Sequence, residues 1–333
     1  MIRVAVDALG GDRAPEEIIA GALDARSDAI TPVLVGPRDL DSHGLDLIEA
    51  AERIEMDEKP AEAVRAKPRS SLVRCVRTVA EGRADAAVSA GNTGAMLAAA
   101  FLELRRLPGV SRPAIAVVIP TRDGPSVLID AGANADARPE HLLQFAHMGT
   151  VFAEEILDVS DPEVRLLSIG EEPEKGNQLT LEARALLRAS ELNFGGNTEG
   201  RDLLTGARRV IVCDGFTGNV ALKILEGTIR TVLEGLRAEI VATTRGKLGG
   251  LLIRPAARAF AHRLDPETYG GAYLLGLRGV VVIAHGNSSR RAIANAIRLA
   301  ARGSEHRLVD RLRERLPREA VLASRRFQGQ TDQ

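Results

Sequence analysis

Tryptophan is absent from the 333 residues, aromatic side chains make up 3%, and cysteine occurs only as Cys75 and Cys213. So few rings argue against base stacking as a way of holding nucleic acid. Two distant cysteines form neither a zinc motif nor a disulfide scaffold. The formal net charge of −1 supplies no global basic field for a polyanion, so no nucleic-acid partner is expected. No run of about 18 apolar residues is present, which disfavours a membrane-spanning helix. The first residues read as a strand rather than a signal peptide, and a cytoplasmic location is expected. Two phosphate-binding signatures are also missing: no G-x-x-x-x-G-K-[ST] occurs, and no G-x-G-x-x-G follows the first strand. Ordinary P-loop and dinucleotide sites are thereby disfavoured. Lysine is scarce, confined to Lys59, Lys67, Lys175, Lys223 and Lys247.

What is present is one kind of turn, repeated. Ala86-Ala87-Val88-Ser89-Ala90-Gly91-Asn92-Thr93-Gly94 passes from an apolar strand through small polar residues into an apolar helix. Glycines let the backbone approach a ligand closely. The following helix start offers unpaired N–H groups and the positive end of its dipole. Together these outline an oxyanion cradle, for which phosphate is the commonest guest. The same shape recurs at Val4–Asp12, Leu128–Asn134, Ile211–Asn219 and Val282–Ser289. In a parallel sheet such turns lie at the carboxyl ends of the strands, where open α/β folds bind ligands. All five are therefore expected to converge on one crevice.

Strands alternating with helical patterns predict an α/β fold, a mainly parallel sheet covered by helices. Expected strands are Ile2–Val6, Pro32–Gly36, Arg53–Met56, Val88 and its neighbours, Ala114–Ile119 paired with Ser126–Asp130, Val164–Ile169, Arg209–Val212 and Val280–Ala284. Expected helices include Pro15–Ala25, Asp41–Ala50, one capped by Ser70 or Ser71, Gly94–Leu104, Pro139–Leu157, Leu179–Leu192 and a long one from Gly218. The polar stretch Asp57–Ser71 reads as a mobile, partly helical lid or connection. A single domain is expected over 1–323, with a disordered polar tail at 324–333. Ile240–Leu264 holds no acidic residue, while Arg245, Lys247, Arg254, Arg258 and Arg263 alternate with leucines, Ile253 and Phe260. Gly249, Gly250 and Pro255 are expected to break it into two pieces, a protruding basic helical hairpin over 240–265. It reads either as an inter-subunit contact or as an anchor on an anionic membrane surface.

Several side chains at the turns can carry chemistry. Ser89 sits in a near match to the nucleophile elbow, with alanine replacing the first glycine, so a hydrolase using Ser89 and His285 is one reading. Cys213 reads as a buried structural thiol, with an acyl carrier as the alternative. Lys175, a loop lysine before a helix, either is simply solvated or offsets an anion and protonates a leaving group. His285 reads as a turn histidine, a proton donor or an oxyanion donor. Asp7, Asp12, Asp130 and Asp214 cap turns or orient donors; no spacing compels a metal, and no cofactor is expected.

At these same turns the sequence resembles the phosphate acyltransferases of bacterial phospholipid synthesis, the PlsX family. The resemblance lies in Val4–Asp12, Ser89–Ala95, Asp130–Asn134, Lys175-Gly176-Asn177, Asp214–Val220 and Tyr269–Ala272. One departure is visible: the family continues its Ala-His-Gly turn with a Ser-Ser type pair, where this chain has Asn287-Ser288-Ser289. The resemblance implies a fold like phosphotransacetylases and isocitrate-type dehydrogenases, and a homodimer. It implies that long-chain acyl–acyl carrier protein and inorganic phosphate are converted to acyl phosphate and free carrier protein. Peripheral membrane attachment through the segment matching Ile240–Leu264 is implied as well.

The residues then suggest roles. Phosphate would sit at Ser89, Gly91, Asn92 and Thr93 and attack the thioester directly, with Lys175, Asn219 and His285 as catalytic groups. Asp7, Gly10, Gly11, Asp130, Asn134, Asp214, Asn287 and Ser288 would complete the crevice. Two rivals are an NAD(P)-linked dehydrogenase of the same fold and a non-catalytic scaffold at the membrane.

Overall fold

The computed structural model describes residues 1–121, 124–205 and 209–317; the expected tail at 324–333 lies outside them. The chain opens with β1 (Ile2–Asp7), α1 (Glu16–Ala25), β2 (Ile30–Gly36) and β3 (Asp46–Glu49). It continues through α2 (Pro60–Ala66), α3 (Ser71–Ala80), β4 (Ala86–Ser89) and α4 (Thr93–Glu103). An antiparallel pair, β5 (Ala114–Thr121) and β6 (Gly124–Ile129), precedes α5 (Pro139–Leu157), β7 (Glu163–Leu167) and α6 (Gln178–Arg188). Then come β8 (Phe194–Thr198), β9 (Arg209–Val212), α7 (Gly215–Ala242), α8 (Thr244–Leu264), β10 (Ala272–Leu275) and β11 (Val280–Ile283). The chain ends in α9 (Arg290–Glu305) and α10 (Leu308–Arg315).

Among the described residues eleven strands join one mostly parallel sheet in the order β3-β2-β1-β4-β11-β10-β5-β6-β9-β7-β8. The central strands are almost wholly apolar and buried on both faces, as a helix-covered sheet requires. One core layer packs α1, α5, α6 and α9 on one face; a second packs α2, α3, α4 and the start of α7 on the other. Of the two candidate caps it is Ser70 that accepts from the Val73 N–H to start α3.

Several expectations change. The helix expected at Asp41–Ala50 is absent: Leu47 and Ile48 extend as β3 along β2, after a turn in which Gly44 takes φ +80°. No strand forms at 53–56. β8 carries Gly195 and Gly196 and β10 is four residues long, too weak a pattern to be read from periodicity. The segment after Asp57 forms α2, anchored at its flanks by Lys67, whose Nζ donates to the Arg53 carbonyl at 3.0 Å.

The hairpin also differs from its expected form. α8 runs unbroken through Gly249, Gly250 and Pro255, and the chain turns at Thr243, whose side chain accepts from the Gly246 N–H. The hairpin is thus α7 with α8, beginning at 215 rather than 240. Gly250 and Gly246 serve close approach, whereas a Cβ on Gly249 would meet nothing within 4 Å. A Cβ on Gly250 would stand 2.6 Å from Ile240 Cγ2, and one on Gly246 would stand 2.2 Å from the Ile240 carbonyl oxygen. Only Gly215 and Gly218 of α7 are buried, and no residue of α8 is. Among the described residues no helix is long and apolar enough to cross a membrane.

Close packing elsewhere is equally explicit. α1 crosses α9 at Gly21, where a Cβ would meet Ile293 Cβ at 2.6 Å and the Arg290 carbonyl oxygen at 2.7 Å. Gly21→Ala gains about 1 kcal/mol of helix propensity but overpacks a contact with backbone, at a cost of about 1–3 kcal/mol. Net destabilisation is expected, read as a lower urea midpoint at unchanged m-value.

Candidate active site

Strand direction decides which turns meet. β1, β4, β11 and β5 run one way. β10 opposes both its neighbours, β6 opposes β5, and β9, β7 and β8 follow β6. The turns after β1, β4 and β11 therefore share one end of the sheet. Those after β6, β9 and β7 share the other. The expectation that every polar turn lies at one end is corrected: the antiparallel β10 and the β5–β6 pair reverse the sheet's polarity midway.

At the first end Asp7 is the buried anchor. Its carboxylate accepts from the Ser89 hydroxyl at 2.6 Å and the Leu9 N–H at 3.2 Å, and Gly91 N–H donates to Ser89 Oγ at 3.0 Å. Burial pushes the Asp7 carboxyl above the usual carboxylate range, against the pull of these hydrogen bonds. Gly10 is required by crowding: a Cβ there would stand 2.5 Å from Asp7 Oδ2 and 2.8 Å from the Gly91 nitrogen. Gly11 abuts the third turn, and Asp12 N–H donates to the Gly286 carbonyl at 2.7 Å.

Asn92 caps α4 by accepting from Ala95 N–H at 3.0 Å. Its amide donates to the carbonyls of Met56 at 3.0 Å and Glu58 at 3.1 Å, so the side chain is engaged in holding that segment. Thr93, next to it, is exposed. Ser288 is buried and donates its N–H to the His285 carbonyl, while Asn287 is exposed. Arg53 lies at this end too, donating to the Gly11 carbonyl at 3.3 Å. Sequence reasoning missed it, because nothing in Glu52-Arg53-Ile54 marks a cation that folds back on a distant turn.

At the second end Asp130 plays the anchoring part. Its two oxygens accept from the N–H groups of Ile115, Gly132, Ala133 and Asn134 and from the Asn134 amide, at 2.7–3.1 Å. Asn134 in turn donates to the Pro113 carbonyl and accepts from the Gly215 N–H. Asp214 caps α7, taking both the N–H and the hydroxyl of Thr217. These bonds seat Asn219 beside Gly132, where a Cβ on the glycine would stand 3.6 Å from the Asn219 side chain. The Lys175 loop follows β7 at the same end. Asn197 donates to the carbonyls of Gly170, Glu172 and Lys175, and Asn177 caps α6. Among the described residues the Lys175 ammonium and the Asn219 amide form no hydrogen bond or ion pair.

α7 joins the two ends. It starts at Gly215 beside the Asp130 turn and runs back along the sheet, and Glu226 reaches His285 with 3.1 Å between Oε1 and Nε2. From Asn219 to Glu226 is two turns of helix, about 10 Å. Asn92 and His285 thus belong to one end, Lys175 and Asn219 to the other, with α7 as the bridge.

A family model described as fatty acid synthesis protein matches residues 2–311. The chain is 46% identical to a phosphate acyltransferase of Heliobacterium modesticaldum, covering 95% of this chain and 98% of that one. It is 47% identical to a phosphate acyltransferase of Desulfitobacterium hafniense, covering 96% and 98%.

The chain belongs to the fatty acid synthesis protein family.

Solved structures extend the likeness to fold alone. The EutD phosphotransacetylase from Staphylococcus aureus matches with a TM-score of 0.59 at 18% identity, over 91% of this chain and 94% of that one. A branched-chain phosphotransacylase from Enterococcus faecalis matches with 0.60 at 16%, over 92% and 100%. For this family member the covalent routes weighed from sequence find no support in the geometry. The Ser89 hydroxyl is bonded to Asp7 while His285 faces Glu226, so no serine–histidine dyad forms. Cys213 is buried, with its thiol against the Asp130 carbonyl, and burial pushes it well above the usual range, away from thiolate.

The Asp130 cluster yields a direct expectation. Asp130→Asn replaces an acceptor oxygen with an amide facing N–H donors. With charge-assisted bonds worth about 1.5–3 kcal/mol each, a loss of about 3 kcal/mol in urea unfolding is expected, with acyltransfer falling as Asn219 is displaced.

Proposed function

We propose that this chain transfers a long-chain acyl group from acyl carrier protein to inorganic phosphate, giving acyl phosphate for phospholipid synthesis. The observation that supports the reading is a set of exposed polar side chains with no hydrogen bond or ion pair among the described residues: Lys175 and Asn219 at one end of the sheet, Thr93 at the other. Phosphate is anionic at neutral pH and needs positioning more than activation. It sits at the start of α4, where the Thr93 hydroxyl and free N–H groups face it and Asn92 and Ser89 shape the turn. Its oxygen attacks the carbonyl carbon, and the Asn219 amide donates to the developing oxyanion. The C–S bond breaks, and the Lys175 ammonium protonates the departing thiolate and recovers its proton from water. The dehydrogenase alternative is not favoured, since the full-length relatives are named phosphate acyltransferases.

The test is to combine enzyme, palmitoyl–acyl carrier protein and phosphate, and to trap acyl phosphate with hydroxylamine. Hydroxamate well above background is expected, and its absence excludes this reaction for that substrate. Removing an oxyanion donor costs about 10²–10³ in kcat, so Asn219→Ala and Lys175→Ala should each lose on that order while still folding. An acyl-enzyme on Cys213 or Ser89 lying on the reaction path would replace direct attack.

The α7–α8 hairpin supports a further part of this reading: a homodimer, cytoplasmic and peripherally attached to membrane through 240–264. Leu248, Leu251, Leu252 and Ile253 are exposed there, alongside Arg245, Lys247, Arg254, Arg258 and Arg263. Each base adds about 1 kcal/mol near an anionic surface, and partial burial of the leucines adds to it. Flotation with phosphatidylglycerol vesicles should recover the protein, and high salt or purely zwitterionic vesicles should release it. Equal recovery on both vesicle types would remove the electrostatic part.

A further inference from the structure

Glu226 has no role in the mechanism above, yet its setting is unusual for a surface helix. Lys223 and Glu226 stand four and seven residues after Asn219, so the three share one stripe of α7. Glu226 Oε2 accepts from Lys223 Nζ at 3.0 Å. Oε1 is buried and has no hydrogen bond of standard geometry, and the ring beside it is that of His285, with Nε2 3.1 Å away. Burial pushes the Glu226 carboxyl up, but His285 and Lys223 together pull it below the usual carboxylate range, so it stays ionised. Around the His285 turn the other charged groups include Asp12, close to Gly286, Arg53, bonded to the Gly11 carbonyl, and Glu267, which accepts from the Ser289 hydroxyl at 2.7 Å.

We propose that Glu226 is a positioning residue for acyl transfer, holding the Nε2 side of His285 so that Nδ1 is the nitrogen left free to take a proton from phosphate. The inference rests on the proposed reading that phosphate, held at the start of α4, attacks the thioester carbonyl. Hydrogen phosphate carries one P–O–H. As an unprotonated oxygen forms the bond to the carbonyl carbon and the C–S bond breaks, the P–O–H proton passes to Nδ1. The imidazolium is then paired with the Glu226 carboxylate and releases its proton to water, since His285 is solvent-exposed. The thiolate receives its proton from Lys175, so protons and charge balance over the turnover. A fixed carboxylate behind an imidazole orients the ring and stabilises its protonated form.

The test is a double-mutant cycle in the hydroxamate assay, with unfolding midpoints measured in parallel. Glu226→Gln is expected to lower kcat by about tenfold to a hundredfold, within the range of general acid–base contributions, with KM for phosphate unchanged. In a His285→Ala background the same substitution should cost nothing further, because a residue acting through His285 has nothing left to position. Glu226→Asp keeps the charge one methylene farther away and should give an intermediate kcat; it carries the test if the Gln variant does not fold. An equal loss with and without His285 would overturn the inference, as would a harmless Glu226→Gln where His285→Ala is damaging. A harmless His285→Ala removes the proton-transfer role of His285 itself, and with it the inference.

Discussion

The reversal of strand direction in the middle of the sheet is the constraint on which the rest depends. Two strands next to each other must share their hydrogen-bonding edges, and β10 does so antiparallel to both β11 and β5. The polarity flips once more at β6 and holds from there to β8. A fully parallel sheet would collect its ligand-binding turns along one edge. Here they are divided, and an element is needed that spans the sheet. α7 meets that need: it leaves β9 at one end and meets His285 at the other, carrying Asn219, Lys223 and Glu226 along one stripe.

Polar residues in the turns fall into two classes by whether their hydrogen bonds are met inside the chain. Asp7, Asn92, Asp130, Asn134 and Asn177 are engaged, each holding a turn or capping a helix. Buried polar groups must be satisfied in this way, since each unmet one costs about 1–3 kcal/mol. Lys175, Asn219 and Thr93 are exposed and lie beside the engaged ones. The first class builds the shape that positions the second. Asp7 belongs to the first class: its carboxylate is buried and accepts from the Ser89 hydroxyl, which in turn accepts from the Gly91 N–H.

The hairpin follows a different logic. Its stability in the chain comes from α8 lying close along α7, which Gly246 and Gly250 permit, rather than from a buried apolar face. A helix pair with so little of its surface buried leaves its apolar residues open to a partner or an interface.

Composition and local pattern alone determined the class of the fold, most strands and helices, a capping serine at position 70 or 71, and the polar turns with Lys175, Asn219 and His285 among them. These are properties of short windows: a β-branched run, a helical period, a capping side chain. The family was legible for the same reason, because its segments are contiguous in the chain. The direction of each strand was not legible, nor were β8 and β10, whose glycines and short length carry no periodic signal. Nor did any window reveal that Asn92 would be engaged with Met56 and Glu58, that Arg53 would reach Gly11, or that Glu226 would stand behind His285. Those depend on contacts between residues tens to hundreds of positions apart, and only the packed tertiary structure decides them.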